Sequence, residues 1–509
     1  MTKPFPDTRT PSKNILKISK NKTPVTNHVT LPNDAFHLFV DDNMIQKIVH
    51  YTNIEGKREK GKEWQDTDST EIQSFIGCLL HTGALHQNDL SLEMLFSPVD
   101  GNSLVRAAFG LRRFSSLLNH LRFDDKATRS ARRARDVFAP IRELWDLFHT
   151  NLGKHYVAGQ NITVDEQLVP FRGRCSFIQY MPSKPDKYGL KFFWASDAAS
   201  NYPLRGFPYL EKEATSARPA ERTMGIAAST VERLTQDVKG TGRNITCDNY
   251  FTDLKLAESL AKQKLTMIGT VKRNKTFLPV DFQAKKALPL GESKFLFRHE
   301  TTLVSFQSKR PKNVILLSTT HQKPEICPET TKPDIVLHYN KTKGGVDAMD
   351  QMAHAFTTKR KTKRWPLVVF FNILDLSSIA ARVIFQLKYP VDKLSHEDCR
   401  QRFNADVGRS MAYAHIVRRS SVPTLQKEVK VNISVVIKSI KPVSEQMAAK
   451  PPKRARVEES APSAKKQKRC ALCPAKRDRK TKSTCSSCDC HICQEHTVLF
   501  CQNCHAATS

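Results

Sequence analysis

The first patterned stretch of the chain carries apolar residues at helical spacing. Phe36, Phe39, Val40, Met44, Ile45, Ile48 and Val49 fall on one face of a helix. The same period returns over residues 72–85 and 104–121. A further helix is expected from Pro140, whose fixed φ suits a first turn, to about Leu152. At Gln160 the texture changes. Residues 162–165 alternate and are rich in β-branched side chains, which predicts a strand. Further strands are expected at 177–181, 190–195 and 245–247, with helices over 223–238 and 253–263. Residues 275–335 read as short strands and turns, clearest at 304–306 and 314–317, and helix returns from Gly344 to about Leu387. Strands interleaved with helices predict a multidomain α/β architecture flanked by helical segments. Residues 1–30 and 436–469 are polar and without period, and read as a disordered arm and a basic linker.

Composition sharpens this picture. The length of 509 residues suggests three or four units. Lys and Arg number 81 against 50 Asp and Glu, a net charge of +31 with His neutral, so a polyanion is the natural partner. The first residues, MTKPFPDTRT, lack the apolar stretch of a signal peptide. The best apolar run, 366–385, contains Asn372, Asp375 and Arg382 and predicts a buried amphipathic helix rather than a membrane span. No membrane partner is expected.

Four aspartates stand out by position. Asp165 ends one strand in ITVDEQLVPFRGR and Asp248 ends another in RNITCDNYFT. Asp347 and Asp350, in YNKTKGGVDAMDQ, are three residues apart at a helix start and share one side of it. Gly344 and Gly345 are expected to let the backbone turn tightly into that helix. Carboxylates from adjacent strands and a helix suit a pair of Mg²⁺ ions, which prefer oxygen ligands. Two such ions about 4 Å apart can clamp the attacking and leaving oxygens of a phosphodiester. The residues alone leave a plainer reading open. Asp is common at strand ends and in first helical turns, and Asp197 and Glu166 are competing carboxylates.

Eight of the thirteen cysteines lie in the last forty residues. The pairs Cys470/Cys473, Cys485/Cys488, Cys493/His496 and Cys501/Cys504 each span two residues, the spacing of two tetrahedral Zn²⁺ sites. Interleaved pairing would give Cys470, Cys473, Cys493 and His496 one ion and Cys485, Cys488, Cys501 and Cys504 the other; sequential pairing is the alternative. Cys490, His491 and His505 are left without a role. Lys359, Arg360, Lys361, Lys363, Arg364 and Trp365 follow the carboxylate helix. With Arg172, the cations are candidates for gripping a DNA backbone, and Trp365 for stacking on a base; a solvated basic turn with a core Trp is the plainer reading. Lys450, Lys453, Arg454 and Arg456, then Lys465, Lys466, Lys468 and Arg469, form a bipartite nuclear import pattern.

The chain resembles the piggyBac transposases over roughly residues 33–509. The likeness rests on VDEQLVPFRGRCSF, MPSKPDKYGLKFF, RNITCDNYFT, YNKTKGGVDAMDQM, KRKTKRWP and the Cys/His tail. It implies a ribonuclease-H-like catalytic domain at 161–357 with a β-rich insertion at about 275–335. It implies a helical dimerisation and DNA-binding domain from 31–160 and 358–435, and a cross-brace zinc domain at 470–509. Asp165, Asp248 and Asp347 would be the metal-binding triad and Asp350 the fourth carboxylate. The implied activity is excision of a DNA element at its terminal inverted repeats through hairpin ends, then integration at TTAA, by a nuclear homodimer. The front departs from the pattern: the arm before Phe36 is much shorter than the acidic region of the best-known member. Two other readings stand beside this one. One is a domesticated DNA-binding protein without transposition, and the other a ubiquitin ligase built on the tail.

Overall fold

The computed structural model describes residues 28–210, 225–283, 289–309, 312–390 and 396–440, with short stretches at 468–469, 480–481 and 493–496 and Cys473. The chain divides into two compact units, residues 1–443 and 444–509.

The larger unit is built around one nine-stranded mixed sheet. Its strands are β1 (Asn161–Pro170), β2 (Ile178–Tyr180), β3 (Tyr188–Asp197), β4 (Pro203–Pro208), β5 (Asn244–Cys247), β6 (Thr266–Thr270), β7 (Ser293–Arg298), β8 (Thr301–Lys309) and β9 (Lys312–Ser318). β1 pairs antiparallel with β3 and parallel with β5, and β5 is parallel to β6. β2 and β4 lie end to end along the far edge of β3. β9, β8 and β7 form an antiparallel meander that joins the sheet through β6. The expected short strands near 304–306 and 314–317 therefore extend the central sheet.

Alternation along the strands sorts side chains to two faces. Ile162, Val164, Ile245 and Cys247 face a core shared with helices Ile226–Leu234 and Leu254–Lys262. Phe192, Trp194 and Val169 face the opposite core, which contains Val346 and Met349 of helix Gly345–Ala355 and most of helix Trp365–Lys388. That core also takes in Pro32–His37, Asp42–Lys60, Ser69–Ala84 and His396–Ser420, so helical segments from both ends of the unit share it.

Four expectations are corrected. The pattern over 104–121 is two helices, Ser103–Ala108 and Leu111–His120, broken at Phe109 and Gly110. The stretch from Gly344 to Leu387 is likewise two helices, separated by the basic loop 356–364. Helix Trp365–Lys388 is the one helix among the described residues long and apolar enough to cross a membrane, and its apolar stretch is wholly enclosed by protein. It is buried on every side rather than amphipathic, which accounts for its nearly unbroken apolar sequence. Helix Lys427–Ser439 also runs past the expected linker boundary at 436.

Candidate active site

The site begins with two matching strands. β1 reads Asn161-Ile162-Thr163-Val164-Asp165 and β5, with the residue after it, reads Asn244-Ile245-Thr246-Cys247-Asp248. Val164 is paired with Cys247, so Asp165 and Asp248 sit one step further at the same level of parallel neighbours. Such strands lie about 4.8 Å apart. The threonines two residues earlier share the face of each aspartate. Both end on one residue: Thr163 Oγ1 donates to the Thr342 carbonyl (2.6 Å) and Thr246 Oγ1 bonds the Thr342 hydroxyl (2.8 Å). Thr342 closes helix Asp334–Thr342, so this pair pins the start of helix Gly345–Ala355 over the two strands.

Gly345 completes that placement. A Cβ there would meet Thr163 Oγ1 at 2.5 Å and Ser196 Oγ at 2.8 Å. Its role is therefore close approach of helix to sheet. Neither Gly344 nor Gly345 has positive φ, which corrects the expectation of a turn that only glycine can make. With the helix seated this closely, its first turn carries Asp347 to the acidic strands. One turn on, Asp350 Oδ1 accepts from Gln167 Nε2 (3.0 Å) and lies 3.3 Å from His354 Nδ1.

Gln167 is two residues past Asp165 on the same strand face and fully buried. Its amide also exchanges hydrogen bonds with Asn372 (3.1 and 3.2 Å) and accepts from Trp194 Nε1 (3.0 Å). Buried amides are costly unless paired, and this one is fully used. It locks β1, β3 and two helices around Asp350. Sequence reading missed Gln167, although its i+2 spacing from Asp165 was a usable signal.

The electrostatics agree with a cluster of like charges. Burial first, then the Glu166 and Asp248 charges, push the Asp165 carboxyl up to about 8. Burial and Glu166 likewise raise Asp248, although the Tyr250 and Phe251 backbone N–H groups oppose the rise. Lys184 Nζ stands 3.4 Å from Asp347 Oδ1, while Asp347 remains 64% exposed. Oxygen-only donors around negative charge that Lys184 offsets only in part are what a hard divalent cation takes. Among the described residues, however, no three Asp, Glu, His or Cys groups are gathered as a ready metal cluster. The donor chemistry fits such an ion; the carboxylates share a neighbourhood without forming a closed ligand set. Asp197, the competing carboxylate, is a buried turn former that accepts from the Gly159, Ala199 and Ser200 backbone N–H groups.

A family model described as Transposase IS4 matches residues 31–381, well over half of the chain. A solved piggyBac transposase synaptic complex with hairpin DNA aligns at a TM-score of 0.75 and 33% identity, covering 94% of this chain and 98% of that one. The chain belongs to the piggyBac-type transposase family. Human PiggyBac transposable element-derived protein 3 is 26% identical over 363 residues, covering 67% of this chain and 60% of that protein. Human PiggyBac transposable element-derived protein 5 is 21% identical over 298 residues, 54% of this chain and 55% of that protein. The chain thus spans less than two thirds of the length of these curated relatives.

In this piggyBac-type chain the basic loop differs from the expected DNA grip. Arg360 donates to the Gln87 and Leu90 carbonyls (3.1 and 2.6 Å). Arg364 caps the end of helix Leu111–His120 through the Leu118, Asn119 and Leu121 carbonyls, and Lys359 donates to the Pro170 carbonyl (2.6 Å). Trp365 is a core residue, stacked on Phe138 and edge-on to Phe177, so it offers no ring to a base. These four side chains hold the loop in place. Lys361, Lys363 and Arg172 are exposed and border a cleft of about 1120 Å³ shared with Tyr188 and His354.

In the smaller unit, Cys473 and Cys493 are buried with their sulfurs 3.7 Å apart. The side chains of Cys470, Cys485, Cys488, His496, Cys501 and Cys504 lie outside the described residues. So do the import-pattern residues other than Lys468 and Arg469.

Proposed function

We propose that this chain is a DNA transposase of the DDE/DDD type. In this reading it binds terminal inverted repeats as a nuclear homodimer, opens element ends through hairpins and joins them to TTAA. The observation that supports the proposal is the level placement of Asp165 and Asp248 on register-matched parallel strands, beneath a helix that carries Asp347 and that Gly345 lets approach closely. The strand order β4-β3-β1-β5-β6, with three antiparallel strands followed by two parallel ones, supports a ribonuclease-H-like core.

Asp165, Asp248, Asp347 and Asp350 would hold two Mg²⁺ ions. Bound there, such ions supply an activated oxygen nucleophile and stabilise a departing 3′ oxygen. The chain's own residues do the rest. Gln167 orients Asp350, Thr163 and Thr246 anchor the helix that carries Asp347, and Lys361, Lys363 and Arg172 offer positive charge to phosphates along the cleft. The Cys473–Cys493 separation suits a shared Zn²⁺, since tetrahedral Zn–S bonds of about 2.3 Å place two sulfurs about 3.8 Å apart. That favours the interleaved pairing completed by Cys470 and His496, with Cys485, Cys488, Cys501 and Cys504 on a second ion.

The test is Asp248→Ala in an excision assay with cognate element ends. Strand cleavage and hairpin formation in Mg²⁺ should vanish while binding to the ends remains. A variant that still nicks would refute the assignment. The curated relatives are described as transposable element-derived proteins, which favours one second reading: a DNA-binding protein without transposition. Wild-type protein that binds element ends but never cuts them would decide for it.

A further inference from the structure

The hairpin from β2 to β3 turns at Met181-Pro182-Ser183-Lys184-Pro185-Asp186-Lys187. Three backbone bonds close it: Met181 N–H to the Lys187 carbonyl (2.7 Å), Lys184 N–H to the Met181 carbonyl (3.1 Å) and Lys187 N–H to the Lys184 carbonyl (3.2 Å). Pro182 and Pro185 fix φ on either side of Lys184, and Lys187 takes the left-handed conformation at φ 56°. The side chain of Lys184 therefore leaves a stiff tip.

A lysine at a hairpin tip ordinarily extends into water. Lys184 folds inward and is only 20% exposed. Its Nζ lies 3.3 Å from the Glu166 carbonyl oxygen, on β1 beside Asp165, and 3.4 Å from Asp347 Oδ1 on the facing helix. Burial works against its charge, but Asp347, Asp165, Asp350 and Glu166 outweigh that and raise its pKa. The ammonium thus bridges the two elements that carry the candidate metal ligands.

We propose that Lys184 is the resident counter-cation of the acidic centre, a positioning residue that ties Asp347 to β1 and that a divalent ion must displace in order to bind. The inference rests on the metal reading of the four aspartates. An ammonium and a divalent ion repel strongly at about 4 Å, so both cannot share Asp347 in one geometry. Lys184 consequently competes with the ion it prepares the site for. Neutralising it should tighten metal binding, the opposite of what loss of a ligand would do.

The experiment is calorimetric titration of Mn²⁺ into the zinc-replete full-length chain without DNA. Wild type, Asp165→Asn, Lys184→Gln and Lys184→Arg are compared. Lys184→Gln should bind Mn²⁺ about two- to fivefold more tightly, the size of a partly exposed ion pair. Lys184→Arg should stay near wild type. Should Lys184→Gln fold poorly by thermal melting, Lys184→Met keeps the apolar stem and serves in its place. Unchanged or weaker affinity in the neutral variants would overturn the role of Lys184. Identical isotherms for wild type and Asp165→Asn would instead overturn the metal reading itself.

Discussion

Gly345 shows how much one absent atom can carry. Its hydrogen lets the helix rest on Thr163 and Ser196, and a methyl group would occupy space 2.5 Å from Thr163 Oγ1. Gly345→Ala should cost about 1–3 kcal/mol, the usual size of overpacking. It should also cut strand cleavage at least tenfold, by about 1.4 kcal/mol or more of barrier, as Asp347 moves off the strands. Cleavage rate and melting temperature measured together check this; wild-type cleavage would mean the helix tolerates the shift. His149 makes a prediction about pH. It is partly buried, lies 3.0 Å from the Trp145 carbonyl through Nδ1 and accepts from the Gly206 N–H through Nε2 (2.9 Å). Burial pushes its pKa down to about 3, against about 6.5 in the unfolded chain. Below about 6.5 the unfolded state binds the proton first, so stability is lost as pH falls from there toward 3, at about 1.4 kcal/mol per pH unit. His149→Gln should lose less stability than wild type between pH 7 and pH 5 in denaturant melts. Equal losses would mean that another group governs acid unfolding. Neither role is legible locally, because a glycine's neighbours and a histidine's burial come from segments far away in the chain. The aspartates are different: their strand-end positions and the N-I-T-x-D pattern are local and were there to be read.

Helices form by period and meet by shape. Ser69–Ala84 crosses His396–Ser420 where Gly77 and Gly408 face each other; a Cβ on either would lie 2.6 Å from the other's carbonyl oxygen. Gly408→Val should destabilise the unit by about 3 kcal/mol, near the upper end of ordinary overpacking costs. A denaturant midpoint unchanged from wild type would show that the helices can separate without penalty. The period over 72–85 predicted the first of these helices but not its partner. The break at Phe109 and Gly110 was equally hidden, since the apolar spacing continues across it. The basic loop makes the same point. Five cations within six residues look alike in sequence, yet Arg360 satisfies carbonyls of the 85–91 loop and Arg364 those at the end of helix Leu111–His120, whereas Lys361 and Lys363 face outward.

For the whole molecule the net charge of +31 sets the terms on which the proposed DNA partner would bind. Affinity should fall steeply with salt, because phosphate contacts release counterions. Replacing both Lys361 and Lys363 by Ala should lower the slope of log K against log salt by about two, while Arg360→Ala should lower stability and leave the slope nearly unchanged. An Arg360→Ala slope change as large as that of the double variant would return Arg360 to the DNA surface. Deleting residues 470–509 should weaken binding to element ends more than to random DNA. Equal losses in the two gel-shift titrations would make the tail an electrostatic anchor only.

Sequence alone determined the alternation of strands and helices, the identity of the four candidate carboxylates and the paired spacing of the tail's cysteines and histidine. Each of these is a local pattern, written within one turn, strand or motif. Tertiary structure decided that Asp165 and Asp248 stand level on neighbouring strands, that Gln167 holds Asp350, and that Lys184 turns inward while Trp365 enters the core. Those outcomes depend on burial and close approach between distant segments, where the cost of an unsatisfied polar group or a steric overlap selects among side chains that look equivalent in the linear chain.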